Sequence, residues 1–593
     1  MTSRPCMTRA NSAICWADIG HRNADPLNRR LVMSNSPTAG SPQAPSLAVR
    51  FQAAREHQKA GSLQQARQAY EDILAQEPSH AGSLHMLGLI LAQTGLAQQG
   101  VDLLCRALEL EPHNAQAYYG LGFAMCKLKQ FAAGIECYET AMSLRPQFAE
   151  AACDKGSALI ELDRCAEALE SFDLAIRWRP DYADAYVYRG NALRGLHEDA
   201  RAVQSFEAGL AINPAFASGH LNLGNALLAM GDYEGALASY DRTIALRAQD
   251  AMAYSNRSGV LKHLHRFDEA LRSCERAVAL APDFAFGHWN HSLLLLLLGD
   301  LRAGFEKYHW RWQTDTFQVI RRNFPQPMWL GQEDLKGQTV LIHTEQGLGD
   351  TIQFARYAQL LADRGARVAF EVEPALYDLL RTLPGVDTLV RQRDPLPAFD
   401  LYCPLMSLPI GCGTTLETVP CAVPYLRPNP AKVWTWQGRL GPKTRPRVGL
   451  VWSGSSTHQA DHLRSLELSA LLDALPSGFD YISLQKEVRP ADMAAVQASG
   501  MAYVGDDLLT MDDTAALCAC MDLVIAVDTS VAHLAGALGL PVWVLLPHMP
   551  DWRWLLDRSD SPWYPSARLY RQRQHGDWSA PLAQVRADLL LGF

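Results

Sequence analysis

The chain has 593 residues, 48% of them hydrophobic and 20% charged, a composition typical of folded globular domains and a length that exceeds a single core. Its 54 Lys and Arg against 63 Asp and Glu give a formal charge of -9, which argues against a nucleic-acid-binding surface. No stretch is long and apolar enough to cross a bilayer, and the 13 cysteines form no Cys-x-x-Cys pair. We therefore expect a multidomain protein of a reducing, cytoplasmic compartment.

The N-terminal segment, residues 1–46, is polar and lacks hydrophobic periodicity. It is rich in Pro, Ser, Asn and Arg, and it contains no continuous apolar core of the kind that marks a signal peptide. This composition predicts disorder. Met33 is an alternative start of the protein to Met1.

Prolines recur every 34 residues through the first half of the chain, with one skipped position at Ala248. When each proline is set at repeat position 32, a small residue recurs at positions 8 and 20 and a large aromatic one at position 24, as in Gly224, Ala236 and Tyr240. The prolines are Pro78, Pro112, Pro146, Pro180, Pro214 and Pro282.

This 34-residue period resembles the tetratricopeptide repeat, a helical hairpin that stacks on its neighbours into a superhelix. We predict about eight repeats over residues 47–316. The last repeat begins at Ala285, lacks the proline and is rich in aromatic residues, so we expect a degenerate cap that meets another domain.

Asparagines also recur at the repeat period in the first helix of some units, at position 6 of three successive units and at position 9 of two. They are Asn222, Asn256 and Asn290 at position 6, and Asn191 and Asn225 at position 9. The arrangement resembles the asparagine ladder of the O-linked N-acetylglucosamine transferases, which implies a protein or peptide partner on the concave face. The alternative is that these amides only solvate that face or bond between repeats.

The second half of the chain alternates strand-like and helical segments, which predicts parallel sheets covered by helices. The predicted strands are residues 339–343, 368–372, 401–402, 447–452, 481–484, 523–527 and 542–546. We expect a linker at 317–336, an N-terminal Rossmann-like lobe at 337–428, an interlobe linker at 429–446 and a C-terminal Rossmann-like lobe at 447–593. The last helix, residues 578–591, is a candidate to cross back to the first lobe.

Loops at the predicted strand ends carry small and polar residues. Gly347 and Gly349 let a backbone approach a ligand, and Asp350 sits at a helix start, where a carboxylate is either a functional group or a simple N-cap. In the second lobe, Ser453 and Gly454 follow one strand, and Arg464 is either a phosphate-binding cation or a solvated surface residue. A hydroxyl-rich helix start suits a diphosphate; its residues are Asp528, Thr529, Ser530 and His533.

Together, Gly347-Leu-Gly-Asp350 and Asp528-Thr-Ser-Val-Ala-His533 resemble the paired signatures of the lipopolysaccharide heptosyltransferase family. The resemblance covers roughly residues 337–593 and implies a B-type glycosyltransferase fold and inverting transfer from a nucleotide-diphosphate sugar. Under it, Asp350 is the base for the acceptor hydroxyl. Ser453, Gly454, Arg464 and the 528–533 loop become donor-side residues.

The C-terminal aromatic segment departs from that family. Asp551-Trp-Arg-Trp554 and the following aromatic residues resemble instead bacterial proteins in which such a domain is fused to tetratricopeptide repeats. The resemblance to the heptosyltransferases therefore does not imply which sugar is the donor.

We therefore predict an inverting glycosyltransferase whose repeats select a protein or other large acceptor. It would need no cofactor and no metal, because this half of the chain has no Asp-x-Asp pair. The alternatives are a repeat scaffold with a transferase-like ligand-binding domain, and an enzyme of lipopolysaccharide or other glycan synthesis.

Overall fold

The computed structural model describes residues 46–455 and 461–592. These described residues divide into two compact units, the first ending at Val260 and the second beginning at Leu261. The predicted disorder of the N-terminal segment falls on residues outside the described ranges. Among the described residues, no helix combines the length and the apolar character that a membrane span requires.

The first unit consists of helices that follow one another in pairs, and the last of them, α13, runs on into the second unit. The helices are α1 (Leu47–Lys59), α2 (Leu63–Gln76), α3 (Ala81–Gln93), α4 (Ala97–Leu110), α5 (Ala115–Lys127), α6 (Phe131–Leu144), α7 (Ala149–Glu161), α8 (Cys165–Trp178), α9 (Ala183–Gly195), α10 (Asp199–Ile212), α11 (Ala217–Ala229), α12 (Tyr233–Leu246) and α13 (Ala251–His263).

Helix ends in this unit follow the 34-residue period. The second helix of a pair ends two residues before the repeat proline, as α10 does at Ile212 before Pro214. Helix α12 ends at the equivalent Leu246 although Ala248 replaces the proline. The proline is therefore not required to end the second helix, and the following helix still begins with a cap in which Asp250 Oδ1 accepts the Ala253 N–H at 3.0 Å.

The glycine at position 8 and the aromatic residue at position 24 form one packing unit, as the sequence pattern indicates. A Cβ at Gly224 would lie 2.6 Å from the Tyr240 ring, and one at Gly190 would lie 2.5 Å from the Phe206 ring. Both rings are fully buried. Only glycine lets the paired helices approach closely enough for the ring to fill the space between them.

This packing predicts opposite effects for two glycines, one on α11 and one on α13. Gly224→Ala forces the Tyr240 ring to move, so we expect the local free energy of unfolding to fall by about 1–3 kcal/mol. At Gly259 on α13 an added Cβ meets no atom within 4 Å, and Gly259→Ala is expected to raise it by up to about 1 kcal/mol. Hydrogen exchange of peptides from α11 to α13 measures both; equal effects would contradict the packing argument.

The second unit begins with further helices of the repeat region and continues into two parallel sheets. Its helices are α14 (Phe267–Leu280), α15 (Ala285–Leu297), α16 (Leu301–Tyr308), α17 (Asp315–Gln318), α18 (Leu348–Phe354), α19 (Tyr357–Asp363), α20 (Tyr377–Leu380), α21 (Leu408–Cys412), α22 (Pro430–Leu440), α23 (Asp461–Arg464), α24 (Leu468–Ala474), α25 (Pro490–Ser499), α26 (Met511–Cys518), α27 (Ser530–Ala537) and α28 (Ser579–Leu591). Its strands are β1 (Thr339–His343), β2 (Arg367–Val372), β3 (Thr388–Arg391), β4 (Leu401–Pro404), β5 (Arg447–Val451), β6 (Asp480–Ser483), β7 (Leu523–Val527), β8 (Val542–Leu546) and β9 (Ala567–Arg571).

Both sheets are parallel, with the strand orders β3-β2-β1-β4 and β6-β5-β7-β8-β9. We call them the first and second lobe. The sequence pattern missed two edge strands, β3 and β9. Exposed residues interrupt both strands, Thr388 and Arg391 in β3 and Arg568 in β9, whereas most of the predicted strands are almost continuously buried.

The last helix does not return to the first lobe, which corrects one expectation. Helix α28 packs against β9 and α24, and its Val585 and Leu589 are buried in the apolar core of the second lobe. The Tyr570 hydroxyl on β9 donates to Asp588 Oδ2 at 2.9 Å. The apolar face of α28 is therefore buried against its own lobe.

The last helical pair, α15 and α16, is built into the first lobe. Leu296, Leu301 and Phe305 share one buried core with Val340 and Ile342 of β1. The compact unit therefore starts before the predicted linker at 317–336, because the apolar face of the last repeat is covered by the sheet domain.

Candidate functional site

The loops predicted to be functional follow strands at which the strand order of each sheet reverses. In the first lobe β1 lies between β2 and β4, and in the second lobe β5 lies between β6 and β7. At such switch points the connections leave to opposite faces and open a crevice at the carboxyl ends of the strands, where ligands bind. The loops after β1, β5 and β7 therefore lie where this topology binds ligands.

These loops line a single cleft with a volume of about 730 Å³. All the residues that the sequence analysis assigned to a cleft line it: Gly347, Gly349, Asp350, Ser453, Gly454, Arg464, Asp528, Thr529, Ser530 and His533. The structure brings them together from both lobes, and their chemical roles stay predictions. No group of three or more His, Cys, Asp or Glu side chains is arranged to hold a metal ion in residues 46–455 and 461–592.

Asp350 is the third residue of α18, and its carboxylate makes two kinds of contact. Its Oδ2 accepts the backbone N–H of Gly347 at 2.9 Å, which stabilises the helix start. Its Oδ1 forms an ion pair with the Arg553 guanidinium. The carboxylate stays partly exposed, with 21% of the side chain accessible in the cleft.

Arg553 is a site residue that the sequence analysis did not single out. It also pairs with Asp551 Oδ1 at 2.8 Å and donates through Nε to Gln353 Oε1 at 2.9 Å. Burial opposes its charge, but the Asp551 and Asp350 carboxylates raise the pKa of Arg553 above its ordinary value. The Asp-Trp-Arg-Trp segment was visible in the sequence as a departure from the heptosyltransferases, and it links the two lobes here.

Arg464 and Asp528 are neighbours on the second lobe. Arg464 donates through Nη1 to the Asp528 carbonyl oxygen at 2.9 Å and through Nε to Asp461 Oδ1 at 3.2 Å. These bonds hold the guanidinium at the cleft. Burial and the nearby Asp551 carboxylate raise the pKa of Asp528 to about 6.

His533 is buried and uncharged at neutral pH. Its Nδ1 lies 3.0 Å from the Tyr564 hydroxyl, and its ring stacks on Trp554 with centroids 5.3 Å apart. Burial, reinforced by the Arg553 charge, lowers the pKa of His533 to about 3. These contacts pack the His533 ring against Trp554 and Tyr564.

Gly349 serves the contact between the lobes. A Cβ at this position would lie 3.1 Å from His533 Cδ2 and 3.4 Å from Ser530 Cα. The sequence suggested that a ligand approaches this glycine, but its near neighbour is α27 of the other lobe. The missing side chain lets α18 and α27 pack against each other.

The loop after β5 is held by side chains of its own lobe. Gln485 accepts the Ser453 N–H at 3.4 Å and donates to the Ser453 carbonyl at 3.0 Å, and the Gly454 N–H donates to Ser465 Oγ at 3.1 Å. A Cβ at Gly454 would lie 2.2 Å from Asp461 Oδ1. A larger residue here would displace the Asp461 and Arg464 side chains.

The predicted asparagine ladder bonds between repeats in the first unit. Asn222 Nδ2 donates to Asn191 Oδ1, and Asn256 Nδ2 donates to Asn225 Oδ1, both at 2.9 Å. Asn225 is buried and its Oδ1 also accepts the Tyr240 hydroxyl at 2.7 Å. The Asn225 amide oxygen is therefore used within the repeats, and a peptide-binding role for these asparagines stays a prediction. Asn290 lies on α15 in the second unit.

The last repeat and the short helix after it contribute a wall of the cleft that the sequence pattern did not predict. This aromatic wall consists of Trp289 and Leu293 on α15, Tyr308 on α16 and Phe317 on α17. The aromatic richness of the last repeat was the available signal. Only the fold shows that the residues face the same cleft as Asp350.

Tetratricopeptide-repeat family models match residues 51–115, 153–215 and 221–283, and a second such model matches residues 115–148. Protein FlbA of Caulobacter vibrioides is 30% identical over 327 residues, which cover 50% of this chain and 54% of that protein. The chain thus spans about half the length of this curated relative.

Two solved structures resemble shorter parts of the chain. A crystal structure of MamA is 24% identical and covers 29% of this chain and 94% of its own, with a TM-score of 0.26. Pseudomonas aeruginosa PilF is 23% identical and covers 34% and 92%, with a TM-score of 0.32. From the family models and the helix pattern, the chain carries tetratricopeptide repeats through about residue 283 and a region of parallel sheets after them.

Proposed function

We propose that the protein is an inverting glycosyltransferase of the B-type fold that uses a nucleotide-diphosphate sugar and transfers the sugar to a protein or other large acceptor. The observation that carries the proposal is the single cleft at both switch points. Asp350 faces it from the first lobe, and Arg464 and the start of α27 face it from the second. A carboxylate on one lobe and positive charge on the other suit a reaction between an acceptor hydroxyl and an anionic donor.

The proposed reaction is a direct displacement at the anomeric carbon. Asp350 accepts the proton of the acceptor hydroxyl as its oxygen forms the new bond to that carbon, because a sugar or side-chain hydroxyl is a poor nucleophile. The bond from the anomeric carbon to the diphosphate oxygen breaks on the opposite face. The nucleoside diphosphate leaves with the bonding electron pair, and the configuration inverts.

Negative charge grows on the diphosphate during this step, and the second lobe offers positive charge to it. The Arg464 guanidinium lies at the cleft, and Lys486 also lines it. The first N–H groups of an α-helix have no intrahelical acceptor and carry the positive end of its dipole, so the start of α27 can bind phosphate oxygens. These groups act where the leaving-group charge develops.

One observation favours the alternative of a non-catalytic scaffold that binds ligand in the cleft. Asp350 is ion-paired with Arg553, so one oxygen of its carboxylate is already engaged by a cation. In the enzymatic proposal, the acceptor must reach the exposed part of this carboxylate. In the scaffold alternative, the ion pair only joins the lobes.

Two experiments on the full chain test the donor side. Calorimetry measures the binding of a set of nucleoside diphosphates. A second assay measures the consumption of each of a panel of nucleotide sugars, with cell extract as the source of acceptor. We expect one diphosphate to bind and its sugar donor to be consumed. Arg464→Ala is expected to weaken diphosphate binding about 10- to 100-fold, the effect of a lost charge-assisted hydrogen bond. Arg439→Ala, which removes an exposed pair with Asp507, is the matched control.

Two outcomes would count against the proposal in different ways. If no nucleoside diphosphate binds, both the enzyme and the nucleotide-binding scaffold fail. If a diphosphate binds in an Arg464-dependent manner and no sugar donor is consumed, the scaffold alternative stands. A changed glycolipid in a deletion strain would instead identify lipopolysaccharide or another glycan as the acceptor.

A further inference from the structure

The aromatic wall presents apolar surface to the cleft. The Trp289 ring lies 4.6 Å from the Tyr308 ring and 5.2 Å from the Phe317 ring, between centroids. Leu293 is one helical turn from Trp289 on α15, so both project from the same face. Trp289, Leu293 and Phe317 are partly exposed, and Tyr308 is buried behind them.

The wall is fixed relative to the loop that carries Asp350. Gln346, next to Gly347, donates to the Tyr308 hydroxyl at 2.9 Å. One turn further, Arg311 forms two hydrogen bonds to Glu345, at 2.7 and 3.0 Å. These hydrogen bonds therefore hold the last repeat, with its aromatic side chains, in a fixed position relative to the loop from Glu345 to Asp350.

We propose that the aromatic wall is an acceptor subsite for an apolar side chain of a peptide, next to the residue that receives the sugar. This inference rests on the proposed function and deepens it, because it names the acceptor class. The wall lines the same cleft as Asp350, so a peptide whose hydroxyl reaches Asp350 places a flanking residue against Trp289.

The chemistry of the wall favours an apolar side chain over a glycan. Its exposed members carry no charge and no carboxylate or amide. Two polar side chains that contact the last repeat are used within the protein, since Gln346 bonds Tyr308 and Arg311 bonds Glu345. A glycan subsite needs polar groups beside the ring face to satisfy sugar hydroxyls, whereas an apolar side chain gains from burial alone.

The test uses the full chain and an array of short Ser- and Thr-containing peptides, in which each flanking position is varied among Leu, Phe, Ala, Lys and Glu. We expect kcat/KM to be about 10-fold higher for peptides with Leu or Phe at one flanking position than with Ala or Lys. Trp289→Ala should remove this preference by raising the acceptor KM, and Trp289→Phe should restore part of it. Phe317→Ala is a second variant in case Trp289→Ala does not fold.

Trp434→Ala is the matched control, because this residue is 77% exposed on α22 and lies outside the cleft. Nucleoside diphosphate affinity should be unchanged in all of these variants, which separates the subsite from a general loss of structure. An unchanged peptide preference in both Trp289→Ala and Phe317→Ala overturns the inference. So does transfer to glycans and to no peptide.

Failure of the inference and failure of the proposed function are distinguishable. Fluorescent peptides from the same array are measured for binding without any donor. If no donor is consumed but peptides bind with a Trp289-dependent apolar preference, the subsite stands and the enzyme fails. If a donor is consumed and peptides show no such preference in transfer or in binding, the enzyme stands and the subsite fails.

Discussion

Asp350→Asn is expected to lower kcat for sugar transfer by about 10²- to 10⁴-fold and to leave nucleoside diphosphate affinity unchanged. The amide has the shape of the carboxylate and can still accept the Gly347 N–H, so α18 keeps its start. It cannot take the proton of the acceptor hydroxyl. The loss should therefore appear in kcat, measured as diphosphate release with saturating donor and acceptor.

The control for this prediction is Asp560→Asn, which removes the charge of an exposed carboxylate paired with Arg558. It should leave kcat and the affinity for the diphosphate as in the parent. If Asp350→Asn transfers sugar at the parental rate, Asp350 is not the base. Its role is then limited to the helix start and the ion pair with Arg553.

Arg311→Met is expected to lower the free energy of unfolding of the second unit by about 3–5 kcal/mol. The Arg311 and Glu345 side chains are 0% and 2% exposed, and Glu345 also accepts the Met406 N–H at 2.9 Å. Removing the guanidinium leaves a buried carboxylate without its counter-charge. Hydrogen exchange of peptides that contain β1 and the following loop measures the loss.

Two comparisons isolate the ion pair in this measurement. The double variant Arg311→Met, Glu345→Leu removes both charges and should recover most of the lost stability. Arg266→Met breaks an exposed pair with Glu269 and should cost less than about 1 kcal/mol. If Arg311→Met is as mild as Arg266→Met, the link between the last repeat and the Asp350 loop does not depend on this pair.

The repeats were predictable because their signals are local and recur. Gly224 and Tyr240 lie 16 positions apart in the same hairpin, and the same pair of residue types returns 34 residues earlier as Gly190 and Phe206. The buried parallel strands were predictable for a similar reason, since each is one apolar run. The edge strands β3 and β9 were missed because exposed polar residues interrupt them.

Partners within the site could not be predicted in the same way. Arg553 and Asp350 are separated by 203 positions, and Arg311 and Ser407 by 96. No periodicity links such positions, and each side chain alone suits a solvated surface as well as a buried pair. The same holds for Gly349 and Gly454, which the sequence indicated as ligand-facing and which the structure packs against protein atoms.

The sequence by itself determined the period of the repeats, most strands of both sheets and which loops carry functional residue types, because these depend on neighbouring residues and on hydrophobic periodicity. Only the tertiary structure decided that those loops meet in one cleft, that Arg553 pairs with Asp350 across the lobes, and that the last repeat supplies an aromatic wall. These features come from packing between distant segments, where burial and charge pairing select one arrangement among many that the local sequence allows.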